Sequence, residues 1–530
     1  MRILAPRMLL IGVAAVVAFV DVAVIPMDRE RVDLHQTVLV DADRIVAVGT
    51  ATTTVVPPDA TVIDGRGRFL LPGLADGHVH VNMGMPWAPT RDNFGEAPLY
   101  LAHGVTTVLN LSGSPAQLEW RRRIADGLLL GPTLYTSGPF INEPRFRSAD
   151  EVRAEVTRQA AAGYDIVKFH ELIDTTAGLS LDAYDALNDS ARAVEIPLIG
   201  HAPKNLGLDA LLKNRQSLAH AGNLTNLHFM PLLAHPLIVA LTALTLLVVL
   251  ATPFIRGPNR QMSTMAALAT LAVVILVGGT LPGGPLSASM VARVALTGAT
   301  VAVIAIAGTL LIRRSPASAA ASVVAALLAG FWVPVVWRSS DARIARLATR
   351  LHDAGISVQS TLVVYDAMRP QAREQLLHDP VVRFLRPDTQ QIWRSLAPAR
   401  QPGGGVLAFN QRVLSALHKA GVPIIAGTDA MGAELLAPGA SLHRELELLT
   451  ESGLTNYDAI RAATVAPAVF LRKEMEFGTV AVGRRADLLL VESNPLERLS
   501  TLRQPLGVMA RGRWFTRKQL LELLAPLSTP

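Results

Sequence analysis

Apolar positions along the chain fall into two kinds of run. Short runs recur as "GVTTVLNL", "TLYTSGPF", "YDIVKFH", "IPLIGHA", "QSLAHAG", "ISVQSTLVVY" and "VPIIAGTDA", each separated from the next by stretches with helical periodicity. Strands that alternate with helices pack as a parallel sheet covered by those helices, most simply a (β/α)8 barrel. Polar residues cluster at the ends of these runs, where barrel enzymes assemble their sites.

The second kind is much longer. Residues 232–255, 265–281, 294–312 and 317–336 are nearly free of charge and each is about as long as a bilayer-spanning helix. Arg256, Arg260, Arg313 and Arg314 sit in the first and third loops between them, which the positive-inside rule assigns to the cytoplasm. Four spans return the chain to its starting side, so the flanking sequence is expected outside the cytoplasm, in a multi-pass protein of the cell membrane. Arg2 and Arg7 before "MLLIGVAAVVA" read as a signal peptide or N-terminal anchor over residues 1–18. The arginines of "SDARIARLATRLHDAG" fit one face of an amphipathic helix packed on a barrel.

Composition agrees with an apolar chain and narrows the chemistry. Half of the 530 residues are hydrophobic and 17% are charged. The net charge of +6 comes from arginine, with only six lysines, and the basic residues are scattered rather than interleaved with aromatics, so nucleic acid is not expected as a partner. The absence of cysteine excludes disulfides, thiolate nucleophiles and cysteine-zinc sites. A metal would need histidine, carboxylate or a modified side chain.

"LLPGLADGHVHVNMG" carries such residues. Positions i and i+2 of a strand share a face, so His78 and His80 point together into the barrel, where two imidazoles suit an ion better than an apolar layer. His201 and His220 end two further runs; each taken singly is a satisfied core histidine, but as a series they read as ligands. Lys168 stands in an apolar strand, where an unpaired ammonium is costly. It is open to three readings: a salt bridge to Asp429 or Glu171, a Schiff-base lysine, or a carbamate bridging two metals. Asp429 in "IIAGTDAMG" is either a helix cap or a carboxylate that holds metal and takes a proton from water. His170 shares the face of Lys168 and lies close behind the ligands or on the surface; His103, His352, His378 and His418 read as solvated.

In its motif order HxH, Lys, His, His, Asp, and in "LLPGLADGHVH", "HGVTTVLNLSG", "GVPIIAGTDA", "LHRELELLTESGLTNYDAIRAATVAPAVF" and "GTVAVGRRADLLLVESNPLE", the chain resembles the metal-dependent amidohydrolase superfamily, especially its imidazolonepropionase-like and prolidase-type members. The resemblance implies a TIM barrel over 71–230 and 339–475, a discontinuous β-sandwich from 19–70 and 476–516, and a C-terminal tail helix over 517–530. The transmembrane insertion, 231–338, departs from that pattern. The resemblance further implies His78 and His80 on a first metal, a carboxylated Lys168 as bridge, His201 and His220 on a second metal, and Asp429 as ligand and general acid/base, with two Zn2+ ions as cofactors. His443 matches a recurrent position and reads as structural. A membrane-bound hydrolase of amide or other C–N bonds is the expected function, of dipeptidase or N-acyl amidase type. Its expected substrate is a small molecule or peptide, including an amphiphilic one, met at the lipid bilayer. A ligand-binding sensor or transport-coupled protein, and a lactonase or deaminase on the same metal centre, are the alternatives.

Overall fold

The computed structural model describes residues 16–528 apart from 87, 91–92, 143, 172–177, 204–205, 226–227, 229–339 and 397–402. Both chain ends contribute to one mixed sheet. Its strands are β1 (Val17–Val24), β2 (Asp33–Asp41), β3 (Arg44–Thr50), β4 (Thr61–Asp64) and β5 (Phe69–Pro72). Eight short parallel strands follow: β6 (Leu74–Val79), β7 (Val105–Asn110), β8 (Thr133–Thr136), β9 (Val167–Phe169), β10 (Leu198–Gly200), β11 (Ser217–Leu218), β12 (Val358–Gln359) and β13 (Ile424–Ile425). Then β14 (Leu488–Val491), β15 (Gly507–Ala510) and β16 (Arg513–Thr516) return to the mixed sheet.

That sheet runs β16-β15-β14-β5-β1-β2-β3, with β4 beside β1. The joint between the two chain ends is the antiparallel pair β14 and β5, which places Leu489 opposite Leu71. Alternating positions of these strands put Phe19, Val22, Ile45, Leu70, Leu488 and Met509 on one side, where they form a separate apolar cluster. Trp514 meets Phe19 edge to face at 5.1 Å. Val17 and Ala18, the last residues of the expected leader, are the first of β1.

The parallel strands form a three-strand sheet, β6-β7-β8, and a five-strand sheet, β9 to β13 in chain order. Parallel bridges Ser137↔Ile166 and Ile141↔Phe169 join the sheets at one seam, and Val79↔Ala430 joins them at the other. Eight strands therefore follow one cyclic order. β6 and β7 are buried along their whole length, as expected of strands covered on both faces. Helices lie between the strands. Ser148 and Glu151 form a reciprocal cap at the start of helix Ala149–Ala161. Helix Asp341–Asp353 buries Ile344, Leu347, Ala348 and Leu351, the i, i+3, i+4, i+7 stripe, and leaves Arg346 and Arg350 exposed.

The structure corrects the membrane expectation. Among the described residues no helix is long and apolar enough to cross a membrane. The longest of them, Gly403–Lys419, has 17 residues and is amphipathic rather than apolar all round. The reading as a membrane-bound, multi-pass protein with a bilayer as partner and an extracytoplasmic barrel is therefore not retained. The runs 232–255, 265–281, 294–312 and 317–336 that prompted it, and most of the expected leader over 1–18, lie outside the described residues.

Candidate metal centre

The ends of β6 and β13 meet at the mouth of the parallel strands. Asp76 on β6 accepts from the Thr428 hydroxyl at 2.7 Å, from the Thr428 amide at 3.0 Å and from the His78 amide at 3.2 Å, tying the two segments together. Burial pushes its carboxyl up to about 7, against the pull of those donors. The clamp presents His78, His80 and Asp429 to one point. His78 Nε2 and His80 Nε2 are 3.1 Å apart, and Asp429 Oδ1 lies 2.9 Å from His80 Nε2 and 3.5 Å from His78 Nε2. A Cβ built on Gly432 would stand 2.2 Å from the His80 ring and 2.7 Å from Asp429 Oδ1, so only glycine leaves room for the cluster.

These separations fit a shared ion. Tetrahedral ligands held at about 2.0–2.1 Å from zinc stand about 3.3–3.4 Å from one another. Asp429 Oδ1, His80 Nδ1 and Lys168 Nζ are all buried without a hydrogen-bond partner among the described residues, which is unfavourable unless something else binds there. The three residues His78, His80 and Asp429 form a group able to hold a metal ion.

The second pair of histidines lines the same mouth but stands outside that compact group. His220 lies 4.4 Å from His78 between ring centroids, and His201 lies 5.2 Å from His220. Lys168, on β9, is fully buried; desolvation brings its ammonium down to about 7, and Asp429 only partly offsets this. Desolvation first, and then mainly the neighbouring Lys168 and other histidines, hold the His78, His201 and His220 rings well below the usual imidazole range. Neutral imidazoles are the form that binds metal.

Second partners fix three of these rings. His78 Nδ1 lies 2.7 Å from Gln359 Oε1, His201 Nδ1 lies 2.6 Å from the Glu171 carbonyl and His220 Nδ1 lies 3.0 Å from Thr361 Oγ1. The Gln359 amide group donates to the Gly77 carbonyl, so its oxygen is left to accept from His78. An Nδ1 engaged in this way would leave the Nε2 lone pair free for a metal ion. His220, Thr361 and Asp429 have φ of 62°, 44° and 61°. Left-handed backbone at three non-glycine residues of one site is strain of the kind concentrated where function demands it.

Gln359 and Thr361 went unnoticed in the sequence because "ISVQSTLVVY" reads as one strand. A glutamine inside that apolar run was the available signal. His170 stacks on Phe140 at 4.3 Å and sits 4.3 Å from His201, on the rim of the site; desolvation, then Lys168, holds its ring down to about 3. His103, read as solvated, instead packs inside: its Nδ1 donates to Leu99 O at 2.8 Å and its carbonyl accepts from His443 Nε2 at 2.9 Å. Both lie away from the metal-competent group.

The Amidohydrolase family model matches residues 308–515. The adenine deaminase of Ruegeria sp. (strain TM1040) is 36% identical over 115 residues, 21% of this chain and 18% of that protein. The enamidase of Eubacterium barkeri is 38% identical over 79 residues, 15% of this chain and 20% of that protein. The matched stretches thus span a fifth or less of these curated relatives. Among solved structures, a Xaa-Pro dipeptidase with bound methionine in the active site aligns with a TM-score of 0.57 at 16% identity, covering 95% of this chain and all of that one. Molinate hydrolase aligns with a TM-score of 0.58 at 17% identity, covering 96% of each chain. At these identities the structural likeness shows the fold, an α/β fold of amidohydrolase type. The family match takes in 208 of the 530 residues, including Asp429 but not His78 or His80, and together with that cluster it makes the chain similar to metal-dependent amidohydrolases.

Proposed function

We propose that the chain hydrolyses a C–N bond of a small molecule with a divalent metal at the mouth of a complete (β/α)8 barrel. The observation that carries the reading is the convergence of two imidazole nitrogens and a carboxylate oxygen within 3.5 Å, beside the buried Lys168 Nζ and His80 Nδ1, which have no hydrogen-bond partner among the described residues. In this reading His78, His80 and Asp429 would hold one ion, His201 and His220 would hold a second, and Lys168, as a carbamate, would be a further ligand. A lysine brought down to about 7 has a substantial uncharged fraction at neutral pH, the form that reacts with carbon dioxide. The ion, zinc in this proposal, supplies Lewis-acid polarisation of the substrate and lowers the pKa of water.

Asp429 moves the protons: its carboxylate takes one from the attacking water and returns it to the departing nitrogen. Gln359 and Thr361 keep the His78 and His220 rings in the tautomer that leaves Nε2 free. Phe140 and His170 form an aromatic wall beside His201 that keeps bulk water off one side. A composite β-sandwich built from 19–70 and 476–516 braces the barrel.

Two substrate classes are supported. Prolidase-type structures share the fold over nearly the whole chain, which favours a dipeptide or similar amide. The curated matches to adenine deaminases favour deamination of a cyclic amidine on the same centre. Chelator-treated protein, reconstituted with zinc and assayed on Xaa-Pro dipeptides and on adenine, tests the proposal. Turnover of either that vanishes on chelation and returns with zinc is expected; turnover that survives chelation would defeat it.

A further inference from the structure

The segment that follows β12 supplies more than orienting groups. After Gln359 and Thr361, one short helix, Leu362–Ala367, carries Tyr365, whose ring packs against the main apolar cluster. Its hydroxyl lies over Gly222, two residues beyond His220: a Cβ built there would stand 1.8 Å from Oη and 2.4 Å from Cζ. Any side chain at 222 would push the phenol aside. Burial first, and then the Asp429 carboxylate, push the phenol above its ordinary range. Among the described residues Oη has no hydrogen-bond partner, and the phenol stands over the turn that follows His220, one of the proposed ligands.

We infer that Tyr365 is a further catalytic residue, whose Oη–H donates a hydrogen bond to the substrate atom that gains negative charge as water adds to the electrophilic carbon. The inference rests on the metal-dependent reading and adds to it a group that the ligand series does not contain. No bond to Tyr365 forms or breaks. The phenol keeps its proton, as phenols do at neutral pH, and proton transfer stays with Asp429. A donor aimed at developing charge in a water-poor site is among the largest contributions an active site makes.

Such a donor must be held still before the substrate arrives, and the helix is fastened at both ends. Glu445 accepts from the Ser360 hydroxyl and from the Val363 amide at 2.7 Å. Arg444 Nε donates to Asp366 at 2.9 Å, and Arg369 pairs with the same carboxylate. Both anchors come from helix Ala440–Glu451, which itself carries no residue of the cluster. Six residues do not make a stable helix alone; these contacts position Tyr365.

Tyr365→Phe keeps the ring and removes only the donor. Cobalt-loaded wild type and variant are titrated with inorganic phosphate, a tetrahedral oxyanion, and binding is followed in the visible cobalt spectrum beside metal content and thermal stability. The variant is expected to hold the same cobalt and melt at the same temperature, yet bind phosphate about tenfold more weakly or worse. Gly222→Ala, which displaces the hydroxyl while keeping the tyrosine, is expected to weaken phosphate binding likewise. Equal phosphate binding by Tyr365→Phe, a loss of its cobalt, or a cobalt-loaded wild type that binds no phosphate would overturn the inference. A wild type that takes up no cobalt would defeat the metal-dependent reading itself.

Discussion

Two buried polar clusters in this chain meet burial in opposite ways. Where the composite sheet leans on β7 and β8, Arg485 donates to Asp487 at 2.6 Å, to Thr107 at 3.0 Å and to Tyr135 at 3.3 Å. The other oxygen of Asp487 accepts from the Arg511 amide at 2.8 Å. Every charged atom of that pair is used. At the mouth of the parallel strands, Lys168 Nζ, His80 Nδ1 and Asp429 Oδ1 are equally buried and have no hydrogen-bond partner among the described residues. A buried charge without a partner lowers the stability of the fold that keeps it. The contrast separates polar groups that hold two parts of the chain together from polar groups kept for an occupant.

Substitutions can break this comparison. The largest effect is expected at Lys168. Lys168→Met should reduce turnover about a thousandfold or more while the metal-free protein melts no lower, or higher, than the wild type, since an unpaired buried amine, partly charged near neutral pH, is replaced by an apolar chain of similar length. A clear fall in melting temperature with turnover retained would erase the contrast. Arg485→Leu should do the reverse. It strands Asp487, costs about 3–5 kcal/mol in denaturant unfolding, and leaves the metal content of the surviving folded protein unchanged.

Gln359→Leu sharpens the comparison inside the site. Losing the acceptor that fixes the His78 tautomer should weaken metal affinity about 10–100-fold, read by competition with a chromogenic chelator. Taken per pH unit, the smallest effect is the pH dependence of stability. In metal-free protein Lys168 is neutral above about 7 when folded, whereas the unfolded lysine stays charged to about 10.4. The folded state therefore binds fewer protons between those values. Its stability should rise with pH across that window by up to about 1.4 kcal/mol per unit, show no further change from this group below about 7, and show this rise only when Lys168 is present.

What the sequence revealed follows the same division. His78 and His80 are readable because strand geometry puts i and i+2 on one face, and Asp429 because a carboxylate ends an apolar run; the structure brings these three to one point. The alternation of short strands with helices is likewise a local signal. Tyr365 was hidden: the run containing it reads as a strand, but the strand stops at Gln359, Thr361 turns the chain at φ 44°, and a helix follows. Glu445, distant in sequence, enforces that turn, and no local pattern records it. The apolar runs between 232 and 336 were the clearest hydropathy signal in the chain. Run length alone did not establish a membrane protein, and the described helices contain no span.

The central claim is that His78, His80 and Asp429 are held together for an ion. Isothermal titration of zinc into chelator-treated protein tests it directly. Wild type should bind at a defined stoichiometry, and His78→Ala and Asp429→Asn should each lose at least one equivalent while remaining folded. Identical zinc isotherms for wild type and both variants would contradict the account.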